Sequence, residues 1–418
     1  MNLGQPAAQR PADRRIPAGG GFLSREELDA LTPSELVRRT TALKPLLASH
    51  AAAAEALRRP VDACWEAIRQ TGCLYHFVPK RYGGLEFDVD TFIDAMLPLS
   101  EGCASTGWVA AFCVEHNWML SLFPQGAQDE TFGGAFPYVV APGVTAPPGN
   151  AEPVEGGFRL SGRWKWGTGI MHSDWVIVAG KLALDGPPQV RMFALPATEV
   201  EVLDTWFVDG MIATGSNDIA CNDVFVPEHR SLDVTTMRTG TSPGARLHAH
   251  NPVYRVPMTP FLAVTAAISA IGAARSALAG FEERIGVRVM YGTTTRQDEK
   301  PAAHMRLGES AALTSAAELL IRDVGRRTVA CVADGAEASL DLRIELRTQV
   351  ALAVDMARKA IRLLADGAGS SSHLLSDPIQ RAQRDINVMA SHIVYDFDLA
   401  TELLGRSRIG LAPNSPVV

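Results

Sequence analysis

The chain has 418 residues, 47% of them hydrophobic, and a formal net charge of −7 at pH 7. This length is enough for a large buried core and for two or three domains. The acidic balance and the lack of a basic stripe argue against nucleic-acid binding. No apolar run approaches the roughly 18–20 residues of a membrane span. We therefore expect a protein that binds neither nucleic acid nor membrane.

The six cysteines are scattered and form no C-x-x-C pair. This favours buried thiols in a reducing, cytoplasmic compartment over a disulfide or zinc framework. His248 and His250 form an H-x-H pair without carboxylate or cysteine ligands nearby, so we predict no metal site. Residues 1–23 are polar, rich in Pro, Arg and Gly, and lack the apolar segment of a signal peptide. We predict a disordered leader there.

Residues 24–136 carry helical patterns. The segment Thr32–Glu35 is a capping box with proline at the first helical position, which predicts a helix start. Pro45 and Pro60 mark the following breaks. One long helix is expected from about 91 to 123, ending before Pro124. These features predict a helical first domain.

Residues 137–246 have the texture of β-strands. Gly156-Gly157 predicts a hairpin turn, and residues 158–166 and 175–179 read as strands. Further on, residues 210–216 form the pattern G-x-x-x-T-x-S, followed by an alternating run that ends at Pro227. A generic hairpin is the alternative interpretation of this Gly/Thr/Ser cluster.

The last zone, 247–418, is helical again after a loop at 234–257. Helices are expected at about 258–290, 301–333, 338–366 and 378–404, with prolines at two of the starts and Gly405 at the last stop. Four long helices in succession typically pack into a bundle.

Several of these segments resemble the acyl-CoA dehydrogenase superfamily: P-x-x-x-G-G at 79–84, G-x-x-x-T-x-S with its V-P ending at 210–227, and the R-x-x-[aromatic]-G run at 288–292. The resemblance covers roughly residues 25–410. It implies an α+β, acyl-CoA dehydrogenase fold with an N-terminal helical domain (24–136), a central β-barrel (137–246) and a C-terminal four-helix bundle (247–418).

In that superfamily the bundle forms the core of a homotetramer. The resemblance therefore implies a homotetramer here, and the apolar row Leu346, Val350, Ala353 and Ala357 would suit the contact between subunits. A row of this kind is also typical of ordinary core.

Two departures distinguish the chain from the dehydrogenases. Residues 139–150 contain no acid where dehydrogenases carry T-E-P-x-A-G-S-D, and His392 stands near the position of their glutamate base, seven residues after Asp385. The pattern R-D-(x)6-H instead resembles flavin-dependent two-component monooxygenases built on the same fold, such as the 4-hydroxyphenylacetate and steroid-phenol hydroxylases. Thr168-Gly169 followed by the H-x-D-W run at 172–175 resembles them too.

The resemblance implies that reduced flavin, FMN or FAD, and O2 hydroxylate a small phenolic aromatic substrate through a C4a-hydroperoxyflavin. The chain has no G-x-G-x-x-G fingerprint for a nicotinamide cofactor, so a separate flavin reductase is the expected partner. The alternatives are a flavin N- or S-oxygenase of the same fold, an acyl-CoA dehydrogenase or oxidase, and a non-catalytic helical assembly protein that has lost its flavin.

Three residues are predicted to hold the flavin by this resemblance. Trp166 would place its ring against the isoalloxazine, and Thr168 would hydrogen-bond near N5. Arg288 would meet the flavin phosphate of a neighbouring subunit, with Arg296 as a weaker substitute. The alternatives are that Trp164 and Trp166 are both core, and that Arg288 is a solvated helix-end residue.

Two histidines are predicted to serve the substrate. His392 would be the base for the phenol, since a base with a pKa near 7 suits that step. On a helix it would share a face with Asp385, Met389 and Asp396. The two aspartates would orient the imidazole and raise its pKa. His116 would reach the substrate side of the flavin. The alternative for His392 is a core histidine, and the alternative for His116 is a histidine on the helix surface.

Overall fold

The structure is a computed structural model that describes residues 23–133, 138–183, 186, 188–415 and 417–418. The predicted leader, 1–23, lies outside the described residues except for its last position. Within the described part, seven helices come first, then seven strands, then seven helices, so the α+β class is confirmed.

The first layer is helical, as expected. Thr32 caps the second helix, its side-chain oxygen accepting from the Glu35 N–H at 3.2 Å, with Pro33 at the first helical position. The single helix expected at 91–123 is wrong, because Cys103 adopts extended backbone (φ −154°) and divides it in two. The helices are α1 Arg25–Asp29, α2 Pro33–Ala42, α3 Lys44–Leu57, α4 Asp62–Thr71, α5 Val89–Gly102, α6 Ala104–Ser121 and α7 Gln125–Phe132.

The sheet follows. Its strands are β1 Gly143–Val154, β2 Gly157–Trp164, β3 Trp175–Leu182, β4 Val190–Pro196, β5 Glu201–Leu203, β6 Asp218–Pro227 and β7 Ser231–Asp233. They run in the order β5-β6-β2-β1-β3-β4-β7, with β1 parallel to β3 and the other pairs antiparallel. The hairpin predicted at Gly156-Gly157 joins β1 to β2, but its turn is at 155–156, and Gly157 already pairs with Val154 as the first residue of β2.

Alternation along the strands gives the sheet two apolar faces. On β3, Val176 and Val178 point into a cluster formed by the strands themselves. Ile177 and Ala179 point the other way, into the large cluster shared with the helices. The β unit therefore has a core of its own and packs its second face on the helical layer.

The second helical half is divided more finely than expected. The segment 234–257, expected as a loop, contains two short helices, whose starts are capped by the side chains of Asp233 and Ser242. The helix expected at 378–404 is also wrong: it ends at Ala390, and another helix begins at Phe397 and continues past Gly405. The helices are α8 Val234–Thr239, α9 Pro243–Leu247, α10 Met258–Val287, α11 Pro301–Ala330, α12 Leu340–Ala368, α13 Pro378–Ala390 and α14 Phe397–Arg408.

Helix α10 corrects the expectation that no apolar run could span a membrane. By length and composition it could do so, but 78% of its most apolar window is buried inside the protein. It packs against α5, α6, α11, α12 and α13. This burial is that of a core helix.

Helices α10 to α13 form the predicted bundle. The apolar row on α12 lies inside it: Leu346, Val350, Ala353 and Ala357 are all fully buried within the single chain. The interpretation of this row as ordinary core is therefore right, and the row gives no support to a contact between subunits.

We expect Leu346→Ala to lower the free energy of unfolding by about 2–5 kcal/mol, because the buried side chain leaves a cavity in the bundle. Denaturant unfolding followed by circular dichroism measures it. Leu352→Ala on the same helix is the matched control, since Leu352 is 39% exposed. A change in oligomeric state without loss of stability in Leu346→Ala would contradict the core assignment.

Candidate active site

One face of the buried helix α6 carries a row of rings. Trp108, Phe112 and His116 are spaced four residues apart and so lie above one another. Their ring centroids are 4.6 Å apart for Trp108 and Phe112, and 5.4 Å for Phe112 and His116. His392 joins the row at its other end, 6.1 Å from Trp108. The two histidines predicted to serve the substrate thus lie along the same aromatic face.

The residue that follows Thr168 lies against the same helix. A Cβ added to the next residue, Gly169, would come within 3.1 Å of the Cys113 Sγ and 3.9 Å of Val109. Gly169 has φ +90°, a conformation that glycine adopts without strain. The Thr168 side chain is nearly buried, and its hydroxyl lies 2.9 Å from the Ser216 Oγ. The fold therefore brings Thr168, His116 and His392 to one helix.

The two tryptophans before Thr168 have opposite environments. Trp164 is fully buried and its indole N–H donates to the Ala179 carbonyl at 2.7 Å. Trp166 is 63% exposed and has φ +67°. The core interpretation is right for Trp164 and wrong for Trp166. An exposed flat ring two residues from a buried hydroxyl fits a planar heterocycle.

The Gly/Thr/Ser motif forms a turn that packs on α13. The Thr214 hydroxyl donates to the Met211 carbonyl at 3.0 Å and lies 2.8 Å from the Ser216 Oγ. The Met211 N–H donates to the Asp385 carboxyl at 2.5 Å. Burial raises the pKa of Asp385 to about 7. Asp385, predicted to orient His392, holds this turn instead.

His392 lies in the turn that follows α13. The helix ends at Ala390, so the predicted helical face with acids on both sides of His392 is wrong. Its Nδ1 accepts from the Val394 N–H at 3.3 Å, and Asp396 caps α14 by accepting from the Leu399 N–H. Burial lowers the pKa of His392 to about 4, against the expected value near 7. At neutral pH the ring is uncharged and carries its proton on Nε2.

His116 has the opposite tautomer. Its Nδ1 donates to the Ala141 carbonyl at 2.5 Å, which leaves a lone pair on Nε2. The side chain is 2% exposed, so the helix-surface alternative is wrong. Burial lowers its pKa to about 4. A Cβ added to Gly143 would lie 2.7 Å from Nε2, so the imidazole packs closely on the Gly143 backbone and only glycine fits there.

Glu115 is a neighbour of His116 that the sequence analysis missed. One of its carboxyl oxygens lies 3.7 Å from the His116 Nε2, and the other is hydrogen-bonded to the Thr265 hydroxyl on α10. Full burial raises the pKa of Glu115 well above its usual range, which favours the protonated form of the carboxyl group. The available signal was a lone carboxylate in the otherwise nearly uncharged stretch 104–121.

Arg288 lies away from this cluster. Along α10 it is 23 residues beyond Thr265, about 35 Å at 1.5 Å per residue. Its guanidinium donates to the Ala368 carbonyl at 2.7 Å and to the Gln297 amide at 3.1 Å, so it is not simply solvated. Arg296 pairs with Asp298. A role of Arg288 at a neighbouring subunit's flavin stays a prediction.

Comparison with known proteins shows the family of this chain. The family model "Acyl-CoA dehydrogenase, C-terminal domain" matches residues 264–397. A pigment production hydroxylase of Rhodococcus sp. is 36% identical over 93% of this chain and 100% of its own length. The oxygenase component of an FADH(2)-dependent resorcinol hydroxylase from Rhizobium sp. is 34% identical, covering 90% and 95%.

A solved structure agrees as well. XiaF from Streptomyces sp., in complex with FADH2 and glycerol, superimposes with a TM-score of 0.86 at 33% identity, over 94% of this chain and 99% of that one. The chain therefore belongs to the oxygenase components of two-component flavin-dependent monooxygenases, which are built on the acyl-CoA dehydrogenase fold.

We expect Glu115→Gln to gain stability relative to the unmodified protein as the pH rises. The raised folded-state pKa means that Glu115 favours folding fully below its unfolded pKa of about 4.5, and that this contribution is lost as the pH rises towards the folded pKa. Glutamine does not titrate. The difference in Tm between variant and unmodified protein should therefore grow between about pH 5 and pH 8.

Thermal unfolding across that pH range measures the difference. Glu26→Gln, on the exposed surface of α1, controls for the substitution itself. A Tm difference for Glu115→Gln that does not change with pH would mean that Glu115 is ionised in the folded protein.

Proposed function

We propose that this monooxygenase hydroxylates a small phenolic compound, with reduced FMN or FAD supplied by a separate flavin reductase. The observation that carries the proposal is that His116 and His392 lie along the aromatic row of α6, while Gly169, next to Thr168, contacts Cys113 on the same helix. Relatives named as aromatic hydroxylases support the substrate class. Bound reduced flavin would supply the electrons that activate O2.

The residues of the chain supply positioning and a dry environment. Trp166 offers a flat surface and Thr168 a hydroxyl beside it. Trp108 and Phe112 line α6 with stacked rings, an apolar wall that suits an aromatic substrate and excludes water. The chain thus binds and orients planar groups without placing a charge on this face of α6.

The two histidines are proposed to act at different atoms. The lone pair on the His116 Nε2 makes this nitrogen the proposed acceptor for the phenol proton. The Nε2–H of His392 makes this residue a hydrogen-bond donor, which would stabilise an oxygen anion. His392 keeps a catalytic role, but as a donor rather than as the base.

Arg288 and its surroundings support the proposed homotetramer. Val287, Val289 and Tyr291, beside Arg288, are large hydrophobic residues exposed in the single chain, Tyr291 completely. A second copy that covers them would bring Arg288 to a neighbouring flavin phosphate. The six free cysteines suit the proposed cytoplasmic location.

The function is tested by reconstitution. The purified chain alone should consume no NADH above background, because it carries no nicotinamide fingerprint. Adding flavin, any flavin reductase and a panel of phenols should give hydroxylated product, measured by chromatography, with little H2O2. Steady NADH oxidation by the chain alone would contradict the two-component assignment. Reduction of bound FAD by an acyl-CoA would favour a dehydrogenase. Oxygenated product from amines or thiophenes, with none from phenols, would favour an N- or S-oxygenase.

The two histidine roles predict different pH responses. His116→Ala should lower hydroxylation by roughly 10²–10⁴-fold at neutral pH and recover in part at high pH, where the phenol ionises without a base. His392→Ala should lower the hydroxylation rate by roughly 10–150-fold, which corresponds to one hydrogen bond to a charged group. This rate should not recover at high pH. Single-turnover product formation across pH measures both. Recovery of His392→Ala but not of His116→Ala would reverse the assignment.

A further inference from the structure

Three buried hydroxyls connect the proposed flavin contact to the Gly/Thr/Ser turn. They belong to Thr168, Ser216 and Thr214, and they end at the Met211 carbonyl. The three successive O···O distances are 2.9, 2.8 and 3.0 Å, and all three side chains are buried. We call this set the hydroxyl chain.

Counting protons fixes the direction of every bond in the hydroxyl chain. Two oxygens this close repel unless a proton lies between them, and each hydroxyl has one proton. The Met211 carbonyl cannot donate, so Thr214 gives its proton to Met211. Ser216 must then donate to Thr214, and Thr168 must donate to Ser216.

The carbonyl end is itself fixed in place. The Met211 N–H donates to the buried Asp385 on α13, and the indole N–H of Trp206 donates to the Met211 carbonyl at 3.1 Å. The Met211 carbonyl, which is the acceptor at the end of the hydroxyl chain, therefore cannot rotate away. With its only proton committed to Ser216, Thr168 offers an approaching ligand a lone pair and no donor.

Flavin N5 changes its hydrogen-bonding character with oxidation state. Reduced flavin carries a hydrogen on N5, whereas oxidised flavin has a lone pair there. A fixed acceptor forms a hydrogen bond with the N5 hydrogen of reduced flavin and repels the N5 lone pair of oxidised flavin. We propose that Ser216 and Thr214 are positioning residues that hold Thr168 as an acceptor, so that the site selects reduced flavin over oxidised flavin.

This inference rests on the proposed function, in which Thr168 faces N5. It makes Thr168 the acceptor, and not the donor, of the hydrogen bond expected near N5. It also gives the G-x-x-x-T-x-S turn a chemical task, because the turn supplies two hydroxyls and the terminal carbonyl. The selection would suit an enzyme that receives its flavin already reduced from another protein.

The test is flavin affinity, measured without turnover. Dissociation constants for oxidised FMN and FAD come from fluorescence titration, and those for the dithionite-reduced forms from anaerobic titration. Ser216→Ala releases the Thr168 proton, so oxidised flavin should bind roughly three- to tenfold more tightly, the usual value of one hydrogen bond. Reduced flavin should change little, because Thr168 can still accept.

Three further variants complete the test. Thr214→Val should lower the preference for reduced flavin in the same direction, since Ser216 then loses its acceptor and can donate to Thr168. Thr214→Ser keeps the hydroxyl and should keep the preference. Ser173→Ala removes a nearby hydroxyl that donates to the Ile170 carbonyl instead, and serves as the matched control.

Thr168→Ala separates failure of this inference from failure of the proposed function. It should weaken binding of reduced flavin roughly three- to tenfold. If it does so while Ser216→Ala and Thr214→Val keep the original preference, the hydroxyl chain does not set the selection and the inference is overturned. If Thr168→Ala changes neither affinity, Thr168 does not contact N5, and the flavin site proposed around it fails too.

Discussion

The burial of helix α6 is the constraint on which the rest of the site depends. Every residue from Ser105 to Ser121 is buried, and the helix packs against α5, the bundle helix α10 and the turn at 212–214. A helix surrounded in this way can carry polar side chains only where each finds a partner. His116 finds the Ala141 carbonyl and Glu115 finds Thr265. The packing of the helix therefore determines which hydrogen bonds its polar residues make.

Burial also decides the protonation states around this helix. Desolvation disfavours the charged form, so it lowers the pKa of His116 and His392 and raises the pKa of Glu115 and Asp385. The histidines of the site are consequently neutral, and the hydrogen-bond direction at each ring is fixed by a backbone partner. Tautomers and hydroxyl orientations, rather than charges, distinguish the roles of its residues.

Much of the fold could be predicted from the sequence because its signals are local. Prolines and caps give the starts of α2, α11 and α13, and alternation gives the strands. The helix boundaries that were wrongly predicted depend on contacts with residues far away in the sequence. Cys103 divides α5 from α6, and the turn at His392 divides α13 from α14, where the buried Arg347 guanidinium binds the Ile393 and Val394 carbonyls. No local pattern around His392 shows that a distant arginine holds that turn.

The sequence by itself determined the class of fold, the motif residues and the family, since these depend on residue types at fixed spacing. Only the tertiary structure decided which atoms those residues present. Asp385 lies seven positions before His392 in the chain, yet it bonds Met211, and Glu115 became part of the site only when α10 brought Thr265 against it. Hydrogen-bond direction depends on which partner lies within about 3 Å, and that distance is set by the packing of elements far apart in the sequence.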